Sequence, residues 1–379
     1  MPHRRFGQTG YDVSALGFGC MRLPTTGESG AVDEAAAVEM IRWAIDHGVN
    51  YADSAYVYHG GQSERVLGKA LEGGYRARVA VATKMPIWMV EKPADFDRFF
   101  DEQCERLGTD RIDFYLLHNL QAPSWPKVRD LGALGWLEKM LASGRIGHAG
   151  FSFHDAFDVL KDILDATDLW SFCQVQYNFA NEDVQAGTRG VEYAASRGLG
   201  VVIMEPLFGG TLAHPPEPIR RLWDAAPGRP DPADVALRWL WNKPEISVVL
   251  SGMSTLDQAR RNVASACRGS VGALGSDEAA LVARVRDAYR TLNPIPCTRC
   301  GYCLPCPQGV AIPENFGLYN DAEVHQGSTA GLNRNLYGGL PAGARAEACI
   351  ACRECEPKCP QGIAISEWMP RVHAALKHS

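Results

Sequence analysis

The chain has 379 residues, 46% of them apolar, and a formal net charge of −6 from 38 basic and 44 acidic side chains. That supports a large core, and mild acidity without a long basic run argues against a nucleic-acid partner. No apolar run approaches the roughly 18 residues of a membrane span, and the charged start MPHRRFGQTG lacks the apolar stretch of a secretory signal.

Short β-rich apolar runs alternate with longer helical patterns. The first strand is expected over Ser14–Cys20, with a helix over Glu34–His47. Next come Val49–Asp53 with a helix at Ser63–Glu72, and Val79–Lys84 with a helix at Ala94–Leu107. Ile112–His118 leads to a helix near Leu131–Ser143, and Ile146–Ser152 to one at Asp155–Leu164. Cys173–Gln176 precedes Val184–Ser196. Gly200–Met204 precedes helical pieces at Glu217–Ala226 and Pro232–Trp241. Ser247–Leu250 precedes Leu256–Ala266. Eight β/α units in succession predict an α/β protein whose parallel sheet closes into a (β/α)8 TIM barrel. The alternative, an open doubly wound sheet, wants a glycine-rich phosphate turn after its first strand. Gly17–Cys20 reads GFGC, which is not that turn.

A last helix over Ser276–Leu292 ends at Asn293-Pro294-Ile295-Pro296, where two prolines stop it and stiffen a linker. Residues 1–292 are therefore expected to form the barrel. Residues 293–379 form a small, mainly α-helical second domain. Eight of the 12 cysteines fall between Cys297 and Cys359. Such clustering points to a metal framework in a reducing, cytoplasmic compartment rather than to secreted disulfides.

Chemistry in such a barrel sits at the C-terminal strand ends. Those ends offer Asp53, Lys84 and His118, with Tyr58 in a loop five residues beyond Asp53. A carbonyl that accepts hydride needs a proton, which a phenol can give. The phenol's reference pKa of about 10 is high for that work. A nearby ammonium, Lys84, should lower it, and Asp53 can pair that buried charge. His118 can hydrogen-bond the carbonyl oxygen. Any one of these alone reads more plainly as a solvated loop residue or a cap. The four on one rim read as a site.

Asn50–Leu71, NYADSAYVYHGGQSERVLGKAL, resembles the signature of the aldo-keto reductases, and TKM at Thr83–Met85 and LLHN at Leu116–Asn119 resemble that family's Lys and His segments. The likeness runs through about the first 290 residues. It implies a barrel that binds NADPH, less often NADH, without a Rossmann fold, and transfers hydride to an aldehyde or ketone. It also implies Tyr58 as general acid, supported by Asp53, Lys84 and His118. Cofactor contacts carried over by resemblance begin with Cys20, Met21 and Asp53. Gly150-Phe151-Ser152 resembles GFSN with Phe153 in place of Asn, which leaves Ser152 and Gln174 for the nicotinamide amide. Met204-Glu205-Pro206-Leu207 resembles Tyr-Ser-Pro-Leu, with Met204 where an aromatic ring would stack. Ser251, Gly252, Ser254, Gln258 and Asn262 resemble the adenosine-phosphate segment. The basic residue expected near Gln258 is missing, and Arg261 is its one substitute, or a solvated helix arginine. The choice between NADP(H) and NAD(H) stays open.

The tail reads Cys349-x2-Cys352-x2-Cys355-x3-Cys359-Pro, the spacing of a bacterial [4Fe–4S] site. Cys297-x2-Cys300-x2-Cys303-x2-Cys306-Pro is one residue shorter, and both runs continue as CPQG-x-AI, an internal repeat. Structural zinc is the alternative. By the logic of two-cluster ferredoxins, Cys359 joins Cys297, Cys300 and Cys303, and Cys306 joins Cys349, Cys352 and Cys355. A helix is expected between the motifs at Glu314–Asn320. A branch of aldo-keto reductase-like proteins carries such a tail. The chain thus reads as a reductase of small carbonyl compounds, its clusters structural or relaying electrons to a redox partner protein. The other reading is a redox-responsive nucleotide-binding regulator with little turnover, suggested by Phe153, Met204 and Gln258.

Overall fold

The computed structural model describes residues 1–26, 31–292, 294–324 and 330–377. Asn293 of the predicted linker lies outside the described residues. The barrel units are β1 (Leu16–Gly19), α1 (Glu34–Asp46), β2 (Tyr51–Asp53), α2 (Gln62–Leu71), β3 (Ala80–Met85) and α3 (Ala94–Leu107). Then follow β4 (Ile112–Leu120), α4 (Ser124–Asp130), α5 (Ala133–Ala142), β5 (Ile146–Phe153), α6 (Phe157–Asp165), β6 (Trp170–Gln176) and α7 (Gly187–Ser196). The last are β7 (Gly200–Met204), α8 (Glu217–Asp224), α9 (Pro232–Trp241), β8 (Val248–Gly252), α10 (Leu256–Arg268) and α11 (Ser276–Leu292). The eight strands run parallel and close in chain order.

Local chemistry explains the elements. Asp33 caps α1 by accepting the Ala36 N–H at 3.1 Å, and Ala37, Met40, Ile41, Ala44 and Ile45 give the helix its buried stripe. The predicted strand Ser14–Cys20 breaks in two. Asp12–Ser14 pairs antiparallel with His3–Arg5, and only Leu16–Gly19 enters the barrel. Ser14 marks the break, its hydroxyl bonding Leu16 O at 2.7 Å and its N–H bonding Asn50 Oδ1 at 2.7 Å. This hairpin carries Phe6 into the N-terminal end of the barrel, with ring centroids 4.8 Å from Phe114, 5.5 Å from Phe172 and 5.6 Å from Tyr51. Gly200 is required there, since a Cβ would fall 2.1 Å from the Phe6 ring. With that end plugged, the C-terminal strand ends are left for chemistry.

By internal packing the described chain forms two compact units: Met1–Pro206 with Leu237–Gly275, and Leu207–Ala236 with Ser276–Ser379. This grouping falls elsewhere than a cut at residue 293, because α11 packs with α8 and the Tyr289 hydroxyl bonds Thr211 O at 2.9 Å. The second unit adds α12 (Ile312–Val324), α13 (Ala330–Gly339) and α14 (Ile365–Leu376), with Ile295, Phe316, Tyr337, Ile365 and Met369 in its core. The helix expected at Glu314–Asn320 is longer at both ends, and Pro313 is tolerated in its first turn. No helix among the described residues is long and apolar enough to cross a membrane.

Candidate active site

Side chains on a strand alternate between faces. Tyr51 and Ala82 line the lower barrel interior, so Asp53 and Lys84, two residues further along their strands, face the same interior higher up. Lys84 Nζ donates to Asp53 Oδ1 at 2.6 Å and to Ser54 O at 2.7 Å, with the two side chains 0% and 4% exposed. The ammonium stands 5.0 Å from the Tyr58 ring centroid. Tyr58 opens a tight turn in which His59, Gly60 and Gly61 take φ of 50°, 62° and 88°. His59 is held in that left-handed conformation by its Nε2, which accepts the Leu23 N–H at 3.2 Å. A bulge delivers His118. Between Leu117 and Leu120 β4 advances three residues while β5 advances two, and Asn119 takes φ 63°. The His118 ring meets Tyr58 edge-on, centroids 6.0 Å apart. The four residues therefore meet at one end of the barrel interior, with Asp53 Oδ2 and His118 Nδ1 buried and without a hydrogen-bond partner.

The electrostatics correct one expectation. Lys84 was expected to draw the phenol's pKa down. Burial, then the charges of Asp53, Cys20 and Glu205, instead hold Tyr58 well above its ordinary value, with Arg22 opposing. The ammonium is neutralised at contact distance by Asp53, so little of its field is left for the phenol. Tyr58 is consequently protonated throughout the neutral range. Burial, then Lys84 and His154, push His118 well below its usual 6.5, so its imidazole is neutral. A depressed histidine gains its proton only on the acid side of 6.5, and a raised tyrosine loses its own only above 10. We expect kcat/KM for a carbonyl substrate to be flat between about pH 6.5 and 9. A buffer-independent rate profile checks this, and an inflection near 6.5 would contradict it.

The residues expected to contact the cofactor separate into groups. Ser152, Gln174 and Met204 share the inward face through their pairing in β5, β6 and β7. Gln174 Nε2 reaches the Met204 sulfur at 3.6 Å, while its Oε1 is buried with no partner, an acceptor suited to an amide N–H. Ser152 Oγ accepts the Asn119 N–H at 2.8 Å. Phe153 lies on the opposite face and packs edge-on to Phe151 at 6.4 Å, so it lines the wall rather than the pocket. Glu205 takes φ 53°, its carbonyl accepts from Asn178 at 3.0 Å, and Pro206 is buried beside it. Leu207 belongs to the second unit. At β8, Asn262 Nδ2 bonds Ser251 Oγ at 2.9 Å, and Ser254 Oγ bonds Arg22 O at 2.8 Å. Gln258 Oε1 accepts the Ser254 N–H at 2.8 Å. The Arg22 side chain lies across Gly252. Arg261 pairs with Asp257 at 2.8 Å, both exposed, as a solvated helix arginine would. Cys20 is fully buried, and Met21 is exposed at the rim.

Trp88 and Trp125 are distinguished. Trp88 is 44% exposed and sits 5.0 Å from the His118 ring, at the lip of the pocket. Trp125 is 7% exposed and packs on Trp170. Sequence reasoning missed Ser54, whose carbonyl accepts a hydrogen bond from Lys84, and Arg22, whose charge acts on Tyr58. Ser54 stands in the Asn50–Leu71 segment but acts through its backbone carbonyl, which side-chain type does not announce, and Arg22 belongs to no quoted motif.

In the second unit the two cysteine runs fold alike. Arg299 and Ala351 both take φ 56°, Gly301 and Arg353 take 80° and 64°, and Gly309 and Gly362 take 78° and 60°. Alternating hands turn successive N–H groups to one side and make a concavity for an anion. The N–H groups of Gln361, Gly362 and Ile363 reach the Cys359 sulfur, and that of Arg299 reaches Cys297. Burial pushes Cys297 up to about 11, Cys303 up to about 12 and Cys355 up to about 11. Cys300, Cys297 and Cys359 lie within electrostatic range of Cys303, and Cys349 and Cys306 within range of Cys355, although among the described residues no three ligating side chains stand close enough to form an assembled metal site. Such thiols would release their protons to solvent as a metal binds the thiolates, its positive charge taking the protons' place.

Residues 15–270 match the profile of the Aldo/keto reductase family. The chain belongs to that family. Residues 296–364 match a 4Fe-4S dicluster domain, so this aldo/keto reductase carries an iron–sulfur domain C-terminal to its barrel in sequence. L-galactose dehydrogenase of Arabidopsis thaliana is 29% identical over 313 residues, 73% of this chain and 91% of that one. An aldo-keto reductase from Bacillus halodurans, solved in its holo form, has 24% identity and a TM-score of 0.63, covering 75% of this chain and 96% of its own. A Klebsiella pneumoniae aldo-keto reductase solved with NADPH matches at 24% identity and TM-score 0.61, over 75% and 95% of the two chains. At that identity the structures speak to the fold. By its family this reductase is an oxidoreductase.

Proposed function

We propose that this oxidoreductase interconverts an aldehyde or ketone with its alcohol using NADP(H) or NAD(H), with Tyr58 as general acid. The observation that carries the reading is the buried Lys84–Asp53 pair beneath the Tyr58 ring, beside a neutral His118. The NADPH of the Klebsiella pneumoniae neighbour supports NADP(H). When bound, the nicotinamide supplies or accepts hydride. Gln174 Oε1 and Ser152 would hold its carboxamide, with Met204 packed against it. Ser251, Gly252, Ser254, Gln258 and Asn262, with Cys20 and Met21, would line its sugar-phosphates. His118 donates a hydrogen bond to the carbonyl oxygen and Tyr58 gives it a proton. The phenolate left behind takes up a proton again before the next turnover. Trp88 at the lip favours a carbonyl with an apolar or aromatic substituent.

The thiol groupings support two [4Fe–4S] clusters, one held by Cys297, Cys300, Cys303 and Cys359, the other by Cys306, Cys349, Cys352 and Cys355. When bound, such clusters carry one electron each. Hydride carries two, so the clusters serve structure or a separate protein partner and do not take electrons directly from the nicotinamide. The exposure of Cys352, next to Ile350 at 64%, supports access by a partner to the second cluster. The test is turnover of NADPH and NADH with a panel of aldehydes, followed by anaerobic NADPH addition monitored by EPR. We expect carbonyl-dependent oxidation and no prompt cluster signal. Tight nucleotide binding without any turnover would favour the regulatory reading, and prompt stoichiometric cluster reduction would overturn the separation of the two redox centres.

A further inference from the structure

The strand that carries Lys84 inward also carries Thr83 outward, into a closed polar network behind the barrel wall. Its centre is Glu64 of α2, a carboxylate with 0% exposure. Glu64 Oε1 accepts from Thr83 Oγ1 at 2.6 Å and from Gln103 Nε2 at 2.8 Å. Gln103, on α3, also donates to Lys84 O at 3.0 Å, reaches Thr83 Oγ1 at 3.1 Å, and accepts from the Tyr115 hydroxyl at 2.6 Å. The other oxygen, Glu64 Oε2, accepts from Arg106 Nη1 at 3.1 Å. The same Nη1 donates to Tyr56 O at 3.0 Å, and the guanidinium lies 3.9 Å from the Tyr56 ring centroid. The Tyr56 hydroxyl in turn donates to Glu102 at 2.5 Å. Tyr56 stands two residues before Tyr58.

One side chain thus reaches in two directions. Through Gln103 it holds the backbone of Lys84. Through Arg106 it holds the backbone of the turn that bears Tyr58. We propose that Glu64 is a positioning residue, which fixes the Tyr58 phenol relative to the Lys84 ammonium from outside the barrel. The inference rests on the reading of Tyr58 as the acid. A buried carboxylate is costly unless all of its lone pairs are served, and here each oxygen is tied to a segment of the site.

Glu64→Gln keeps the volume but turns an NH2 toward Arg106, donor against donor. Arg106 must then move, and Tyr56 O loses its anchor. A displacement near 1 Å at reacting groups is worth about 10²-fold in rate. We expect kcat per folded molecule to fall about 10- to 100-fold, with nucleotide Kd unchanged and the alkaline limb of the rate profile displaced, since a phenol that moves changes the burial and the distance to Asp53 that set where it titrates. Arg106→Lys is the second variant. It retains the charge opposite Glu64 but cannot serve Glu64 and Tyr56 O together, and it should reproduce the kcat loss and the displaced limb. A network that only stabilises the fold would lower the melting temperature and leave kcat per folded molecule and the profile unmoved. That result, in either folded variant, overturns the proposal. Tyr58→Phe run alongside separates the failures. If it retains full turnover, the acid assignment has failed. If it is inactive while Glu64→Gln is fully active with an unmoved profile, only the positioning role has failed.

Discussion

Lys84→Met should destabilise the barrel by about 3–5 kcal/mol and remove carbonyl turnover, because it leaves the Asp53 carboxylate buried without its counter-ion. The pair is fully internal, and Asp53 Oδ2 already lacks a partner, so nothing nearby can take over the charge. Lys84→Met with Asp53→Leu should recover most of the stability and none of the activity, since removing both charges is far less costly than orphaning one. The variant also carries a pH signature. Burial raises the Asp53 carboxyl above its ordinary 3.8 even with Lys84 present, and without the ammonium that rise is unopposed. A group whose folded pKa lies above its unfolded value adds stability that is full at low pH and lost as pH rises through the folded value. The single variant should therefore melt higher at pH 5 than at pH 8. Urea unfolding at the two pH values measures both effects. Equal stability of Lys84→Met and the parent would mean that the pair contributes nothing to the fold.

The barrel was legible because its signal repeats: eight apolar runs, each followed by a helical period, admit few other closures. What escaped the sequence was local competition. Ser14 satisfies backbone groups with its own hydroxyl and so ends one strand before the next begins. The stretch before α5, where no element is expected, contains α4, whose buried Trp125 gives it a packing role that the residue type alone does not specify. The rim was readable in composition but not in electrostatics. Spacing brings Lys84 toward Tyr58, yet only the structure shows its charge spent on Asp53 and the phenol raised by burial. Phe153 reads as a lost cofactor contact until the strand period turns it to the outer face. The Glu64 network was illegible for a different reason. Tyr56, Glu64 and Thr83 stand in the quoted family segments, but no fixed spacing announces that Gln103, Arg106 and Tyr115 join them.

Tyr58→Phe should lower kcat for carbonyl reduction by about 10²-fold or more, the usual worth of a placed proton donor. The substitution isolates one atom. The ring that faces the Lys84 ammonium at 5.0 Å and meets His118 edge-on at 6.0 Å is retained, so the loss reports the hydroxyl and not the packing. Nucleotide affinity, followed by quenching of protein fluorescence, should stay near that of the parent, because Gln174, Ser152 and Met204 are untouched. The iron–sulfur absorbance should stay as well. The raised phenol sharpens the expectation. A tyrosine that is protonated throughout the neutral range donates at every pH where the enzyme is assayed, so the deficit of the variant should be the same at pH 6.5 and at pH 8.5. A deficit confined to high pH would instead mean that the phenolate matters. Undiminished turnover would transfer the proton to His118, whose neutral imidazole is the other donor placed at this pocket.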